Sequence, residues 1–293
     1  MNERHRETTV VKASSEDQSV FNCIDSVNGE ARIVVSLTPS TSIEGRLSRL
    51  KIPHVVVPRG NLGVTFNAGI ELASTNKVII MTDDATFNPN AIDKLSESLE
   101  VYDASKARII FHYDVTQPLT KFVADVRDFI NSSPTRVFTP GLALKKDIKS
   151  KVGNHFFNEQ VRWGEDAEFS HRFHDNGLRF AYVPDATINH PAVSVKHDLL
   201  GAFLIGLSKR RSVDLGIREG DEDLIPTLKR VLSGKTFRER ERLLNEKGVG
   251  AVAYKALWDA FYNAGYYLRR RGLSDGIEEQ VWASFGRGGQ DLD

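Results

Sequence analysis

Along the first two thirds of the chain, short apolar runs too brief for helices alternate with stretches whose apolar residues recur at helical spacing. Residues 8–13 (TTVVKA), 31–37 (ARIVVSL), 55–57, 77–81 (KVIIM), 107–112 and 179–183 read as strands. Between them, Val20, Phe21, Ile24 and Val27 share one helical face behind the capping chemistry of Ser14-Ser15-Glu16-Asp17. Residues 42–50, 67–73, 88–99, 117–131 and 165–176 give further helices, with Gly177 a stop for the last and Pro184 a stop for the strand after it. Strands that are apolar throughout and alternate with helices predict an α/β fold with a mainly parallel sheet covered on both faces. In such sheets ligands sit beyond the carboxyl ends of the strands, so the residues just after each strand are the ones to inspect. After His190 the alternation stops, and 199–211, 223–232, 237–247 and 250–271 all read as helix.

Composition narrows the classes of function. In 293 residues, 39 Lys plus Arg balance 39 Asp plus Glu, so no global field draws nucleic acid, and a nucleic-acid partner is not expected. Cys23 is the single cysteine, which excludes an internal disulfide framework and a cysteine zinc cluster and fits a reducing cytoplasm. No run approaches the roughly 18 uninterrupted apolar residues of a membrane span, and the polar start MNERHRE is unlike a signal peptide.

Three places carry candidate chemistry. Thr82-Asp83-Asp84 ends the apolar run KVIIM, where two acids suit a divalent cation or, equally, the capping of the next helix. Trp163-Gly164-Glu165-Asp166 opens a helix whose dipole keeps Asp166 ionised, as a general base requires; the same acids are also ordinary helix-start residues. His190 follows the strand RFAYV and the turn Pro184-Asp185, and its imidazole suits a structural role or a metal site shared with an aspartate. Glu168 and Arg172 lie four apart, the spacing of a helical ion pair.

The order of these pieces is more specific than any one of them. The segment GEDAEFSHRFHDNGLRFAYVPDATINH, with Glu165, Asp166, Glu168, Arg172, Gly177, Pro184 and His190, resembles the signature of family 2 glycosyltransferases of the GT-A fold. Upstream, Asn61, Gly63, Asn67, Gly69, Asp83, Asp84 and Pro89 are similar to the family's nucleotide-side half. Gly141 and the stretch 153–159 stand where the family has its acceptor-side glycine and an acidic aromatic turn. The resemblance spans about residues 8–191, and it departs in four places, one of them a spacing from Asn61 to Asn67 shorter than the family's. Val35-Ser36-Leu37-Thr38 lacks the family's nucleoside-binding aspartate, Phe66 stands where arginine is common, and the metal motif is Thr-Asp-Asp rather than Asp-x-Asp.

The resemblance implies a GT-A catalytic domain over 8–194, with a nucleotide-sugar half to about 112 and an acceptor half beyond it. A tail precedes it at 1–7, and a helical region follows at 195–293. It implies transfer of a sugar, with inversion, from a nucleoside-diphosphate sugar to an acceptor hydroxyl. The donor is a UDP-sugar in the first instance, with dTDP or GDP as alternatives; the acceptor is a glycan, a lipid-linked molecule or a small molecule. Asp84 and His190 would hold Mn²⁺ or Mg²⁺, and Asp83, Asn61, Gly63, Asn67 and Ser14 would face the donor. Asp166 would be the base with Glu165 beside it, and Gly141 and Trp163 would line the acceptor side. Arg210 and Arg211 are candidates to close over the diphosphate, the other reading being a solvated basic helix end. Two other classes stay open: a GT-A-like nucleotidyltransferase, which would need a glycine-rich phosphate loop that 14–17 does not provide, and a non-catalytic nucleotide-sugar-binding relative or partner subunit.

The last helix, AVAYKALWDAFYNAGYYLRRR, sets a narrow polar stripe of Lys255, Asp259 and Asn263 against Leu257, Trp258, Phe261, Tyr262 and Tyr266. It reads as a packing helix, against this chain or a second copy. The alternative is an interfacial helix in which Arg269–Arg271 face the inner surface of a membrane.

Overall fold

The structure is a computed structural model and describes residues 7–13, 18–27, 32–57, 62–217, 234–272, 276–278 and 280–281. The expected helix 223–232 and the capping residues 14–17 lie outside these, as do the candidate donor residues Ser14 and Asn61.

Two compact units share the chain. The first comprises residues up to Ile110 together with Asn131–Pro191 and contains the sheet. Its parallel block is β1 (Glu7–Ala13), β2 (Arg32–Leu37), β3 (His54–Val56) and β4 (Lys77–Thr82), in the order β3-β2-β1-β4. Helices α1 (Ser19–Ser26), α2 (Thr41–Arg49) and α3 (Leu62–Leu72) make the crossovers that parallel pairing requires. Val10, Val11, Val34, Val35, Ile79, Ile80 and Met81 are all buried, the pattern of strands covered on both sides.

Past β4 the sheet ceases to be parallel. It continues through β7 (Leu142–Lys145), β6 (Ala104–His112), β8 (Phe180–Pro191) and β5 (Thr86–Phe87), and the β4–β7, β6–β7 and β5–β8 pairs are antiparallel. The sheet is therefore mixed, because β7 doubles back beside β4 instead of crossing over. Helices α4 (Ala91–Ser98) and α6 (Glu165–Asp175) complete the unit, with a short 3₁₀ turn at Lys146–Ser150. One sequence expectation fails at Pro184: β8 runs straight through it to Pro191. Proline has no N–H to give, and Pro184 sits before the pairing with β5, which begins at Ile188.

The second unit joins residues 111–130 to Ala192–Asp293. Its described helices are α5 (Thr120–Asn131, all but its last residue), α7 (Val195–Asp214), α8 (Gly234–Lys247) and α9 (Val249–Arg270). Asp198 is buried under α5 and α9: Arg127 Nε donates to its Oδ1 at 2.6 Å and the Tyr254 hydroxyl to its Oδ2 at 2.7 Å. Lys247 ties α8 to Asp128 at 2.6 Å. The aromatic face of α9 packs on α7 at a crossing made by two glycines. A Cβ on Gly206 would lie 1.9 Å from the Tyr262 carbonyl oxygen, and one on Gly265 would lie 2.1 Å from that of Phe203. Helix propensity alone favours Gly206→Ala by about 1 kcal/mol, but backbone cannot yield as a side-chain end can. We expect a net destabilisation of about 2 kcal/mol, read from denaturant melts of the whole chain. A variant as stable as wild type would mean that the helices do not cross this closely.

Candidate functional site

The acidic pair after β4 is positioned by the strand itself. The Asp83 N–H donates to the Lys12 carbonyl at 3.0 Å, and Ala85 N to the Thr82 carbonyl at 3.2 Å, which turns the chain immediately beyond the strand. The turn delivers β5, whose Thr86 pairs with Asn189 and Phe87 with Ile188 of β8. Asn88 reinforces the junction: its amide donates to the Thr187 hydroxyl at 2.8 Å and accepts from Asn189 Nδ2 at 2.7 Å. That pairing carries Asp84 to His190, whose Nε2 lies 3.4 Å from Asp84 Oδ2. His190 Nδ1 lies 2.6 Å from the Pro191 carbonyl, which can only accept, so Nδ1 carries the proton. Nε2 is then the ring nitrogen that faces the Asp84 carboxylate, and a nitrogen and an oxygen so placed are donor atoms that one cation could share. Asp83 is buried while Asp84 is exposed. Burial and the Asp83 and Asp84 carboxylates push the buried Cys23 thiol up, leaving it un-ionised.

The second acidic pair opens α6. Gly164, at the helix cap, has φ 75°, a left-handed conformation that glycine adopts without strain. Beyond it, Asp166 is half-buried; Oδ1 accepts from Ala167 N at 2.7 Å and Oδ2 from Thr139 N at 3.4 Å. Glu165 is buried, and its Oε2 has no hydrogen-bond partner. Burial first, and then the Asp166 charge, push its carboxyl up to about 8, against the opposing pull of Lys12. The two acids thus differ in environment, one buried and proton-holding, the other bonded to backbone N–H groups that favour its charge.

Lys12 is the residue that joins the two pairs. Its carbonyl holds Asp83 and its ammonium acts on Glu165, so the ends of β1 and β4 and the start of α6 face one place. Sequence reasoning passed over it, although a lysine closing an apolar parallel strand is the available signal. Glu165 also sets a pH dependence. Its folded-state pKa lies above the unfolded value, so its contribution is full below about 4.5 and is lost as pH rises through about 8. We expect Glu165→Gln to raise Tm relative to wild type at pH 9 but not at pH 4. Equal Tm differences at both pH values would show that Glu165 titrates normally.

Other candidate residues turn out to have structural work. The Asn67 amide is closed on the backbone of Phe157, donating to its carbonyl at 2.8 Å and accepting from its N–H at 3.0 Å. Phe66 is buried against Phe157 with ring centroids 5.2 Å apart, which accounts for an aromatic there rather than a cation. Glu168 and Arg172 form a buried pair, and Arg172 also caps the carbonyls of Val152, His155 and Phe156, which fixes the loop before α6. Gly141 has φ 76° and links β4 to β6 through Ile80 and Ala107; a Cβ there would meet Ile188 at 2.9 Å. Gly63 is buried within α3, and Trp163 is half-buried beside Gly164. In the second unit Arg210 donates to Asp214 at 2.8 Å and lies over Tyr266, while Arg211 lies 4.0 Å from Glu278.

No family model and no curated protein matches the chain. Among solved structures it is similar to residues 1–349 of TarS from S. aureus, at 14% identity and a TM-score of 0.48, over 91% of this chain and 92% of that one. The same protein in complex with UDP gives 13% identity and a TM-score of 0.49, and in complex with UDP-GlcNAc 13% and 0.48, with the same coverage. No described helix is long and apolar enough to cross a membrane.

Proposed function

We propose that this chain is a glycosyltransferase that moves a sugar from a nucleoside-diphosphate sugar, in the first instance a UDP-sugar, to an acceptor hydroxyl with inversion. The observation that carries it is the convergence through Lys12 of Asp83-Asp84 and Glu165-Asp166, two acidic pairs each with one buried and one more exposed member, at the ends of β1 and β4. That is where a parallel sheet receives its ligands. The resemblance of 8–191 to family 2 glycosyltransferases agrees with this placement of the acids.

Asp84 and His190 fit as the protein's ligands for Mn²⁺ or Mg²⁺. Their facing oxygen and nitrogen at 3.4 Å are donors of the right kind, and Nδ1 is anchored on Pro191, as a ligating imidazole usually is. Among the described residues no third His, Cys, Asp or Glu joins them, which suits a metal that takes its remaining ligands from phosphate and water. When bound, such an ion supplies charge stabilisation to the departing diphosphate. Asp166 takes the proton from the acceptor hydroxyl as its oxygen bonds to the anomeric carbon. The anomeric carbon–oxygen bond to phosphate breaks, and the nucleoside diphosphate leaves with that electron pair. Glu165, holding its own proton, leaves the pair at the start of α6 with one rather than two negative charges to stabilise. Incubation with a panel of nucleoside-diphosphate sugars and hydroxyl acceptors, with the product's anomeric configuration read by NMR coupling, tests the proposal. Inverted product is expected; retention of configuration, or no turnover of any donor, would overturn it.

A further inference from the structure

Lys106 is fully buried, and charged side chains are seldom buried without compensation. It lies on β6, paired with Leu142 of β7, next to Ala107, whose N–H donates to the Gly141 carbonyl at 2.9 Å. Its Nζ donates to the Asn131 carbonyl at 2.7 Å and lies 3.4 Å from Asn131 Oδ1. Both acceptors are neutral. The Phe138 ring is the next wall, its centroid 5.7 Å from the Lys106 ammonium and 5.7 Å from the Arg136 guanidinium. Thr139, the residue after Phe138, holds Asp166 through its N–H. The stretch 138–141 therefore links the two groups: the Phe138 ring faces Lys106, the Thr139 N–H reaches the Asp166 carboxylate, and Gly141 is fixed to β6.

We propose that Lys106 is a positioning residue: its buried ammonium is the counter-charge that keeps Asp166 ionised and aimed at the acceptor. The proposal rests on the transferase reading only for the word acceptor; the coupling of Lys106 to Asp166 stands without it. Four charged or titratable groups enter. Lys106 from β6 favours the Asp166 carboxylate. Glu165 from α6 opposes it by proximity. Arg136 repels Lys106, and Lys12 from β1 acts on Glu165. Burial pulls Lys106 down to about 7, and Asp166 is what pulls it back up. The dependence is mutual, because an interaction that favours one charge favours the other by the same amount. This also accounts for a buried lysine whose hydrogen bonds go only to neutral oxygens: the charge that balances it is across the 138–141 stretch rather than in contact.

Two arms test it on the whole chain. In Lys106→Met, which keeps length and loses charge, kcat should fall about 10-fold while KM for the donor stays. The acid limb of the kcat–pH profile should move up by about one unit, because a carboxylate without its cation protonates more readily. A merely structural lysine would leave that limb in place, and an unmoved limb overturns the proposal. The second arm holds even where Lys106→Met does not fold. NMR titration of ¹³Cε-labelled lysine should show Lys106 losing its proton about one unit lower in Asp166→Asn than in wild type. Identical titration in the two overturns the proposal. Failure of the transferase reading shows separately, as wild type that turns over no donor while the Lys106 titration still shifts.

Discussion

Asp166→Asn should lower turnover by about 10²-fold or more while leaving the binding of donor and metal intact. The substitution keeps the size and polarity of the side chain and removes only the ability to accept a full proton. Asparagine can still receive the Ala167 and Thr139 N–H groups that now orient the carboxylate, so the start of α6 keeps its geometry. The loss therefore belongs in kcat, not in KM for the donor. Rates measured under saturating donor, beside nucleoside-diphosphate affinity by calorimetry, separate the two. Near-normal turnover would remove Asp166 from the chemistry and leave its ionised state without a purpose.

Asp84→Ala should act on the other side of the site. Removing groups that merely orient metal ligands costs about 10–100-fold in metal affinity or activity, so removing a ligand from a pair should cost at least about 10²-fold in metal-dependent donor affinity, or about 2.7 kcal/mol. The damage should be confined to binding measured with Mn²⁺ or Mg²⁺, because Asp84 is exposed, and no stability is staked on it. Calorimetric titration of UDP into wild type and variant, with and without the ion, gives four affinities. Equal values for the two proteins in the presence of the ion would take the metal away from Asp84.

Much of the fold was legible because parallel strands buried on both sides leave runs such as KVIIM that nothing but a covered sheet explains. The reversal beyond β4 was not, since VFTPGLAL does not say which neighbour its glycine will face. The two acidic pairs were legible from their place after a strand and at a helix start. What joins them was not. Lys12 is the last residue but one of β1 and Lys106 precedes the apolar part of β6; a lysine at such a boundary looks like a solvated strand end, and only the fold shows that Lys106 is buried. The recruitment of residues 111–130 into the C-terminal unit was equally hidden, because α5 reads as one more helix of an alternating series. Its partners Asp198 and Lys247 lie 71 and 119 residues from the Arg127 and Asp128 they bond, too far along the chain for spacing to pair them. Asn67 shows the converse: a motif residue read for its ligand chemistry also has a fold role, bonded to the backbone of Phe157, that no motif discloses.

The central place of β1 in the sheet has a consequence during synthesis. β1 lies between β2 and β4, so one of its edges is satisfied only when Lys77–Thr82 arrives, although the other can close once Arg32–Leu37 is made. At ribosomal rates of roughly 5–20 residues per second, the interval between Leu37 and Thr82 is on the order of 2–9 s. For that time an apolar, β-branched strand edge stands open beside a nascent two-stranded ribbon, a template for pairing with another chain. Slowing translation across residues 38–76 should lower soluble yield, and speeding it should raise it, with no change in the stability of the finished protein.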